Sequence, residues 1–185
     1  MTTTPARELA GELGVNTLFL AGPFLQLLDP ATGEMPSGTR APFASLIEHF
    51  EGHGFSVHNA HRREAWGAEL MAPAQCTPLD QEEIRKADVF VAFPGLPASP
   101  GTHIEMGWAS AFGKPIVLLL EEGKEYAFLV RGLHAVATVE YVVFSDLEAA
   151  LPAVDDAVRR AVSRQRDAAG LSGDGTGTGE AAGLR

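Results

Sequence analysis

The sequence predicts an α/β fold, a Rossmann-like (flavodoxin-like) three-layer sandwich with a five-stranded, mostly parallel sheet. Apolar runs alternate with helical patterns from about residue 16 onward, as in chains built from strand-helix-strand units. Two of the runs, "DVFVAF" and "PIVLLL", are apolar at nearly every position. Such runs are typical of parallel strands that are buried on both faces.

Strand composition occurs in five segments, residues 16–22, 55–60, 88–95, 115–121 and 139–145. Helical patterns occupy residues 43–54, 77–87, 100–113, 125–133 and 146–164. Three prolines bear on the helix starts. The first helix is predicted to begin after Pro42, the second has Thr77 as N-cap with Pro78 at its first position, and Pro152 either delays or kinks the last. The Pro- and Gly-rich residues 23–42 are predicted to form a lid or rim over a site.

The 185 residues, 45% of them hydrophobic, suffice for one domain with a sizeable core. We predict one folded domain over residues 1–165 and a disordered Gly- and Ala-rich tail over residues 166–185. The net charge of −10 argues against binding to a nucleic-acid polymer. Cys76 is the single cysteine, and no segment has the length and apolarity of a membrane span or of a secretory signal, so we expect a cytoplasmic protein without a membrane partner.

The richest candidate site follows the third predicted strand, where ligands bind in open parallel sheets. Its segment "PGLPASPGTHIE" places Ser99, Gly101 and Thr102 before a helix, whose free amides and dipole favour a phosphate group. The sequence contains no Gly-x-Gly-x-x-Gly fingerprint after a strand and no P-loop. A small phosphorylated ligand is therefore predicted, rather than a dinucleotide or a nucleoside triphosphate on a Walker motif.

Glu105 has two interpretations. It stands three residues after Thr102, which is the spacing of a helix capping box. Alternatively it is a catalytic carboxylate, because a ribose whose phosphate lies in the preceding turn would present its anomeric carbon, where positive charge develops during cleavage. The sequence is compatible with both the capping and the catalytic interpretation of Glu105.

A basic segment follows the second predicted strand. His61, Arg62 and Arg63 are candidates to bind the substrate, since a cation beside the pocket would complement a monophosphate. A metal site at His58 and His61 lacks an evident third ligand, so no metal is predicted there. The alternative is a solvated basic turn.

The segments "LFLAGPF", "NAHRREAWG", "LDQEEIRKADVFVAFPG" and "ASPGTHIEMGWASAFGKPIVLLL" resemble the nucleoside 2-deoxyribosyltransferase superfamily. Within it, the chain is most similar to the CMP and 5-hydroxymethyl-CMP N-glycosidases, the cytidylate hydrolases of blasticidin- and mildiomycin-type nucleoside antibiotic biosynthesis. The resemblance covers roughly residues 16–145. It implies a Rossmann-like fold, a homodimer or larger homo-oligomer, no metal or other cofactor, and a retaining mechanism through a glycosyl-glutamate.

The resemblance also implies roles for single residues. The nucleophile falls on Glu105, the second carboxylate on Asp80, and the phosphate-binding serine on Ser99. Gly22, Phe24 and Leu25 fall on the segment beside the ribose and base, with Phe24 placed to stack on a pyrimidine.

One departure concerns the neighbouring subunit. Related hydrolases contribute a polar residue from the partner where this chain has Ala127, so Tyr126 and Arg131 are the candidates to replace it.

The predicted function is hydrolysis of cytidine 5′-monophosphate to cytosine and ribose 5-phosphate. The enzymatic alternatives are 5-hydroxymethyl-CMP, a deoxynucleotide, or base exchange, and the apolar Leu25 favours plain CMP among them. A phosphoribohydrolase of the cytokinin-activating type is disfavoured because "PGTHIE" lacks that family's glycine pair. A non-catalytic nucleotide sensor would use the same phosphate site without turnover.

Overall fold

A computed structural model of the chain describes residues 8–173. Its centre is a sheet of five parallel strands in the order β2-β1-β3-β4-β5. The strands are β1 Thr17–Ala21, β2 Ser56–His58, β3 Val89–Ala92, β4 Ile116–Glu121 and β5 Val139–Phe144. This is the flavodoxin-like order, and the predicted fold class is confirmed.

Helices cover both faces of the sheet. They are α1 Leu9–Leu13, α2 Ser37–Gly52, α3 Ala60–Arg63, α4 Pro73–Lys86, α5 Pro100–Ala111, α6 Phe128–Gly132 and α7 Leu147–Gly173, with short 3-10 turns at Leu25–Leu27, Ala65–Gly67 and Leu133–Ala135. None of the helices in the described part of the chain has the length and apolarity to span a membrane.

Alternation along the strands divides the core into two layers. In β1, Leu18 and Leu20 face the layer that α1, α2 and α7 complete, whereas Phe19 and Ala21 face the layer of α4, α5 and α6. All four side chains are nearly inaccessible to solvent. The strands are apolar on both faces because each face is covered by helices, as their continuous apolar runs predicted.

Helices α2 and α4 begin earlier than predicted, whereas α7 begins within one residue of its predicted start, without the delay that Pro152 allowed. Helix α2 begins at Ser37, α4 at Pro73 and α7 at Leu147, so that Pro42, Pro78 and Pro152 each stand at the sixth helical position. A proline there removes one intrahelical hydrogen bond without preventing the preceding turn from forming.

Two predictions change as a result. Thr77 is not an N-cap, because Ala72 precedes the first helical residue and Pro73 takes the first position. The last six residues of the predicted rim over 23–42 belong to α2. In addition, α7 continues to Gly173, so the first residues of the predicted tail are helical, and residues 174–185 lie outside the described part of the chain.

The strand order fixes the place of a ligand site. After β1 the chain turns to one side of the sheet to form β2, whereas after β3 it turns to the other side to form β4. The two connections diverge at the carboxyl ends of β1 and β3, and this divergence leaves a crevice of the kind that binds ligands in doubly wound sheets.

Candidate active site

A cavity of about 550 Å³ opens at the carboxyl end of β1. The loop after β1, the segment around α3, the first half of α4 and the beginning of α5 form its walls. Most of its surface is apolar. Its polar and charged lining side chains are Gln26, His61, Glu64, Cys76, Asp80, Ser99, Thr102 and Glu105.

Ser99 caps the helix that enters the cavity. It is the N-cap of α5, and its side-chain oxygen accepts hydrogen bonds from the Thr102 amide at 3.4 Å and from the Thr102 hydroxyl at 3.0 Å. Both side chains are buried. The capping box between Thr102 and Glu105 is thereby excluded, because Thr102 lies inside the helix and Ser99 provides the cap.

The carboxylate of Glu105 faces the cavity from the second turn of α5. The side chain is partly buried, and among the described residues no group donates a hydrogen bond to it. Burial, reinforced by the negative charge of Asp80 and opposed by the positive charge of Arg63, raises the pKa of Glu105 from 4.5 to about 8. An unpaired carboxylate with a raised pKa in a cleft is a mark of a functional group rather than of a structural one.

Asp80 is the second carboxylate of the cavity. It projects from α4, is buried, and accepts a hydrogen bond from Arg63 at 2.6 Å between Oδ1 and Nη2. Burial raises the pKa of Asp80 above its ordinary value, while the hydrogen bond and the charge of Arg63 oppose that rise. Asp80 and Glu105 are thus an interacting pair in which only Asp80 has a bound cation as partner.

Arg63 lies behind the cavity wall. Its Nη1 atom donates to Glu83 at 2.7 Å, and its Nη2 atom lies 3.6 Å from Glu64 in addition to its bond with Asp80. Arg62 points elsewhere, toward Glu51 at 2.6 Å and the carbonyl oxygen of Val57 at 2.6 Å. Neither arginine lines the cavity, so the cation that we expected beside the phosphate is not supplied by these guanidinium groups.

His61 does line the cavity, but as a neutral side chain. It is buried, and burial lowers the pKa of its imidazole from 6.5 to about 4. Its Nε2 atom lies 2.8 Å from the carbonyl oxygen of Pro23 and its Nδ1 atom lies 2.9 Å from the amide nitrogen of Asn59. These partners require the Nε2–H tautomer, in which Nδ1 accepts from Asn59, so His61 positions the loop after β1.

The loop after β1 contributes three predicted residues to the wall. A side-chain Cβ atom at Gly22 would lie 2.5 Å from the Phe43 ring, so only glycine allows the loop to approach α2 this closely. The Phe24 ring packs at 4.6 Å from the His61 ring, and Leu25 is largely exposed at the rim. These three residues of the loop line the same cavity as Ser99, Gly101, Thr102, Asp80 and Glu105.

One buried acid of the site, Glu64, was not among the residues predicted from the sequence. Glu64 lines the cavity, is 5% exposed, and accepts a hydrogen bond from the Met71 amide at 3.0 Å. Its place three residues after His61 in the basic segment was the available signal, since a lone acid among arginines indicates local charge pairing.

This site defines a class of protein: a flavodoxin-like α/β protein whose switch-point crevice contains two coupled carboxylates and a capped helix N-terminus. Comparison with known proteins narrows the class. No protein-family model and no curated protein matches the chain. Solved structures do match. The solution structure of BlsM has 63% sequence identity with this chain and a TM-score of 0.73, over 82% of this chain and 94% of BlsM.

The second match is the structure of the Clostridium botulinum CMP N-glycosidase BcmB, with 37% identity and a TM-score of 0.57. The match covers 76% of this chain and 99% of BcmB. The chain belongs to the family of BlsM and of the CMP N-glycosidase BcmB. The family resemblance of the sequence motifs is confirmed.

Proposed function

We propose that the protein hydrolyses the N-glycosidic bond of cytidine 5′-monophosphate and releases cytosine and ribose 5-phosphate. The observation that carries the proposal is the unpaired Glu105 carboxylate, which faces the cavity from the second turn of α5, beyond the Ser99 cap. The substrate assignment rests on the 37% identity with BcmB, which is a CMP N-glycosidase.

The beginning of α5 is suited to hold the phosphate. The amides of a first helical turn have no intrahelical acceptor, and that of Gly101 is one of them. The positive end of the helix dipole and the hydroxyl groups of Ser99 and Thr102 add to the attraction for an anion. Among the described residues that line the cavity there is no lysine or arginine. The proposed phosphate site therefore consists of amides and hydroxyl groups.

Glu105 is the proposed nucleophile. With the phosphate at the beginning of α5, the ribose extends along the helix and its C1′ atom comes opposite the carboxylate. The carboxylate oxygen forms a bond to C1′ as the bond from C1′ to N1 of cytosine breaks, and the bonding pair leaves with the base. Water then attacks C1′ of the glycosyl ester and restores the carboxylate.

Asp80 is proposed to act as a general base. The departing cytosine takes up a proton from solvent, and the water that resolves the ester loses a proton to Asp80, which returns it to solvent. A carboxyl group beside the nucleophile is suited to the second transfer, and a raised pKa brings it closer to the pH at which it works. Arg63 stabilises the ionised form of Asp80 through its hydrogen bond.

Base specificity is proposed to come from the apolar end of the cavity. The apolar lining includes Phe24 and Leu25 from the loop after β1, and Leu70 and Met71 from the segment that leads into α4. An apolar wall binds the face of a pyrimidine but offers no hydrogen bond to a 5-hydroxymethyl group. Plain CMP is therefore preferred over 5-hydroxymethyl-CMP, and a competition assay between the two nucleotides measures the preference directly.

The central test uses the full chain and CMP, with free cytosine followed by chromatography. The wild type is expected to release cytosine, and Glu105→Gln to reduce kcat by on the order of 10⁴-fold because the nucleophile is lost. Glu122→Gln changes an exposed acid outside the cavity and serves as the matched control. A wild-type protein that releases no cytosine, or a Glu105→Gln variant with undiminished release, contradicts the proposal.

Two further measurements separate the alternatives. Rapid quenching followed by peptide mass analysis should find the glycosyl group on the peptide that contains Glu105. Supplying a second free base during turnover tests base exchange, which would yield a new nucleotide. Tight CMP binding without cytosine release would instead identify a nucleotide sensor.

We also propose a homodimer or a larger homo-oligomer. Helix α6 exposes about four fifths of the Phe128 and Leu129 side chains, which is unusual for an isolated surface. Arg131 is half-exposed on the same helix, whereas the Tyr126 hydroxyl accepts a hydrogen bond from the Glu121 amide at 2.7 Å within its own chain. Arg131 is thus the better candidate to reach a partner's cavity, and light scattering of wild type and Phe128→Asp tests the assembly.

A further inference from the structure

Three metal-ligand side chains meet outside the active-site cavity, between α2 and α7. The Nε2 atom of His49 lies 2.7 Å from Oδ1 of Asp155, and the Nε2 atom of His53 lies 3.6 Å from Oδ2 of the same carboxylate. One ligand atom from each of the three side chains lies within 4.8 Å of the others. None of the three side chains lines the active-site cavity.

Helix geometry explains why His49 and His53 both face Asp155. Residues four apart project from the same side of a helix, and His49 belongs to the last turn of α2 with His53 directly after it. The main chain at His53 is held in place, because its amide donates to the carbonyl oxygen of His49 and its carbonyl oxygen accepts from the Ala10 amide at 3.0 Å. The imidazole pair is therefore preorganised by backbone contacts.

The carboxylate arrives from a distant part of the sequence. Asp155 is on the third turn of α7, which packs beside α2 on the same face of the sheet. A second contact ties the two helices together, since the Ser45 hydroxyl donates a hydrogen bond to Glu148. The relative position of the three ligand groups is thus fixed by the core.

The donor set suits a transition metal. Two imidazole nitrogens and one carboxylate oxygen are ligands that zinc accepts, at about 2.0–2.2 Å, so that neighbouring donors around one tetrahedral ion lie about 3.3 Å apart. The two imidazole nitrogens lie 2.7 and 3.6 Å from different oxygens of Asp155, and one ligand atom from each of the three side chains lies within 4.8 Å of the others, so side-chain rotations would bring the donors to this spacing. The side chains are 12% to 32% exposed, so water can reach the fourth position.

We propose that His49, His53 and Asp155 bind one divalent transition-metal ion, zinc by ligand preference, which joins α2 to α7. The ion would replace the hydrogen bond between His49 and Asp155 with two coordinate bonds and would bring His53 into the same group. Its role is structural, because the site lies apart from the carboxylates of the cavity. It is independent of the proposed hydrolysis of CMP.

The test is zinc binding by the full chain, in a Cys76→Ser background that removes the one thiol. Calorimetry is expected to give one zinc ion per chain. At a free zinc concentration a hundredfold above Kd, the melting temperature should rise by about 5 to 10 °C. Cobalt(II) provides a second readout, since its absorption spectrum reports tetrahedral coordination by nitrogen and oxygen.

Variants make the assignment specific. His53→Gln and Asp155→Asn should each weaken zinc binding at least about tenfold and abolish the thermal shift. His53→Gln is the safer variant, because the His53 side chain is the most exposed of the three. His134→Gln removes an exposed histidine elsewhere in the fold, and Ser45→Ala removes the hydrogen bond to Glu148. Both variants should retain the zinc-dependent shift in melting temperature.

Three outcomes would overturn the proposal: no stoichiometric zinc binding, undiminished binding in His53→Gln, or loss of binding in His134→Gln. The first would leave His49, His53 and Asp155 as ion pairs between two helices.

Discussion

Arg63 donates a hydrogen bond to Asp80 at 2.6 Å between Nη2 and Oδ1, and through this contact a group outside the cavity controls the charge of a group inside it. The same guanidinium bonds Glu83 at 2.7 Å and lies 3.6 Å from Glu64. Three acids thus share one cation behind the cavity wall. Glu105 accepts no such hydrogen bond. Burial raises its pKa most, the charge of Asp80 adds to the rise, and the charge of Arg63 opposes it.

The two neighbouring arginines should differ sharply in their effect on stability. Arg63→Met leaves Asp80 without its cation in a partly desolvated place, and we expect the free energy of unfolding to fall by about 3 kcal/mol or more. Arg62→Met removes an ion pair with Glu51 that is about two-fifths exposed and a hydrogen bond to the carbonyl oxygen of Val57, and it should cost about 1 kcal/mol. Urea unfolding of both variants measures the difference. Equal losses would show that Arg63 is not the centre of this network.

The pH dependence of catalysis should report the ionisation of Glu105. A nucleophilic carboxylate must be ionised, so kcat/KM is expected to rise with pH and to level off above about pH 8. Asp80→Asn removes a negative charge that raises the pKa of Glu105, so the rise should shift to lower pH while the maximal rate falls.

Glu83→Gln is the control for this shift. It removes another acid bound to Arg63, but Glu83 does not line the cavity. Pre-steady-state rates of cytosine release between pH 5 and 9 provide the profiles. A profile of Asp80→Asn that coincides with that of the wild type would refute the coupling of the two carboxylates.

Glu105 should also make the folded state less stable at alkaline pH. Its pKa is higher in the folded chain than the unfolded value of 4.5, so the folded state binds more protons and stability declines as pH rises from about 4.5 to about 8. Glu105→Gln lacks this decline. At pH 8.5 it should be more stable than the wild type by a few kcal/mol, with an upper bound of about 5 kcal/mol, and the two should differ little at pH 4.5.

Denaturant unfolding at the two pH values makes this comparison, with Glu122→Gln as the exposed control. A difference between Glu105→Gln and wild type that does not change with pH would contradict the raised pKa.

Ser99 should affect the phosphate end of the ligand more than the base. Ser99→Ala removes the cap of α5 and the hydroxyl beside the proposed phosphate, so Kd for ribose 5-phosphate is expected to increase about 10- to 100-fold. Kd for cytosine should stay within about twofold. The lost cap lowers stability by about 1 kcal/mol. Calorimetry with both ligands separates the effects, and an equal weakening of both would place the phosphate elsewhere.

Gly22 should tolerate no side chain while Phe43 faces it. The Cβ atom of Gly22→Ala would lie 2.5 and 2.8 Å from two atoms of the Phe43 ring, so we expect a loss of stability of about 1–3 kcal/mol and a displaced loop after β1. Phe43→Leu in the same chain should restore part of the lost activity by making room. Gly107→Ala, where the surroundings are open, is the matched control on α5 and should leave activity unchanged. Failure of Phe43→Leu to recover any activity would contradict the steric explanation.

The sequence by itself determined the layered fold, because strands covered on both faces must be apolar at successive positions, as in Val89–Ala92 and in residues 116–119. It also predicted that Ser99, Thr102 and Glu105 belong to one site, since parallel strands direct their following loops to one edge of the sheet. The phosphate-binding role of Ser99 and Thr102 and the catalytic role of Glu105 stay predictions. The starts of helices were harder to predict from the sequence, because a proline is compatible with the first position of a helix and also with its sixth, as at Pro78.

Only the tertiary structure decided which charged side chains form ion pairs and which groups are desolvated. Arg62 and Arg63 are adjacent in a basic segment, and local sequence gives no sign that one pairs with Glu51 and the other with Asp80 and Glu83. The state of His61 likewise follows from burial against Pro23 and Asn59. Pairing and desolvation depend on residues distant in the chain, whereas strand and helix patterns depend on neighbours. The order of the strands brings Glu105 and Asp80 to one cavity, and Arg63 donates its hydrogen bond to Asp80 rather than to Glu105.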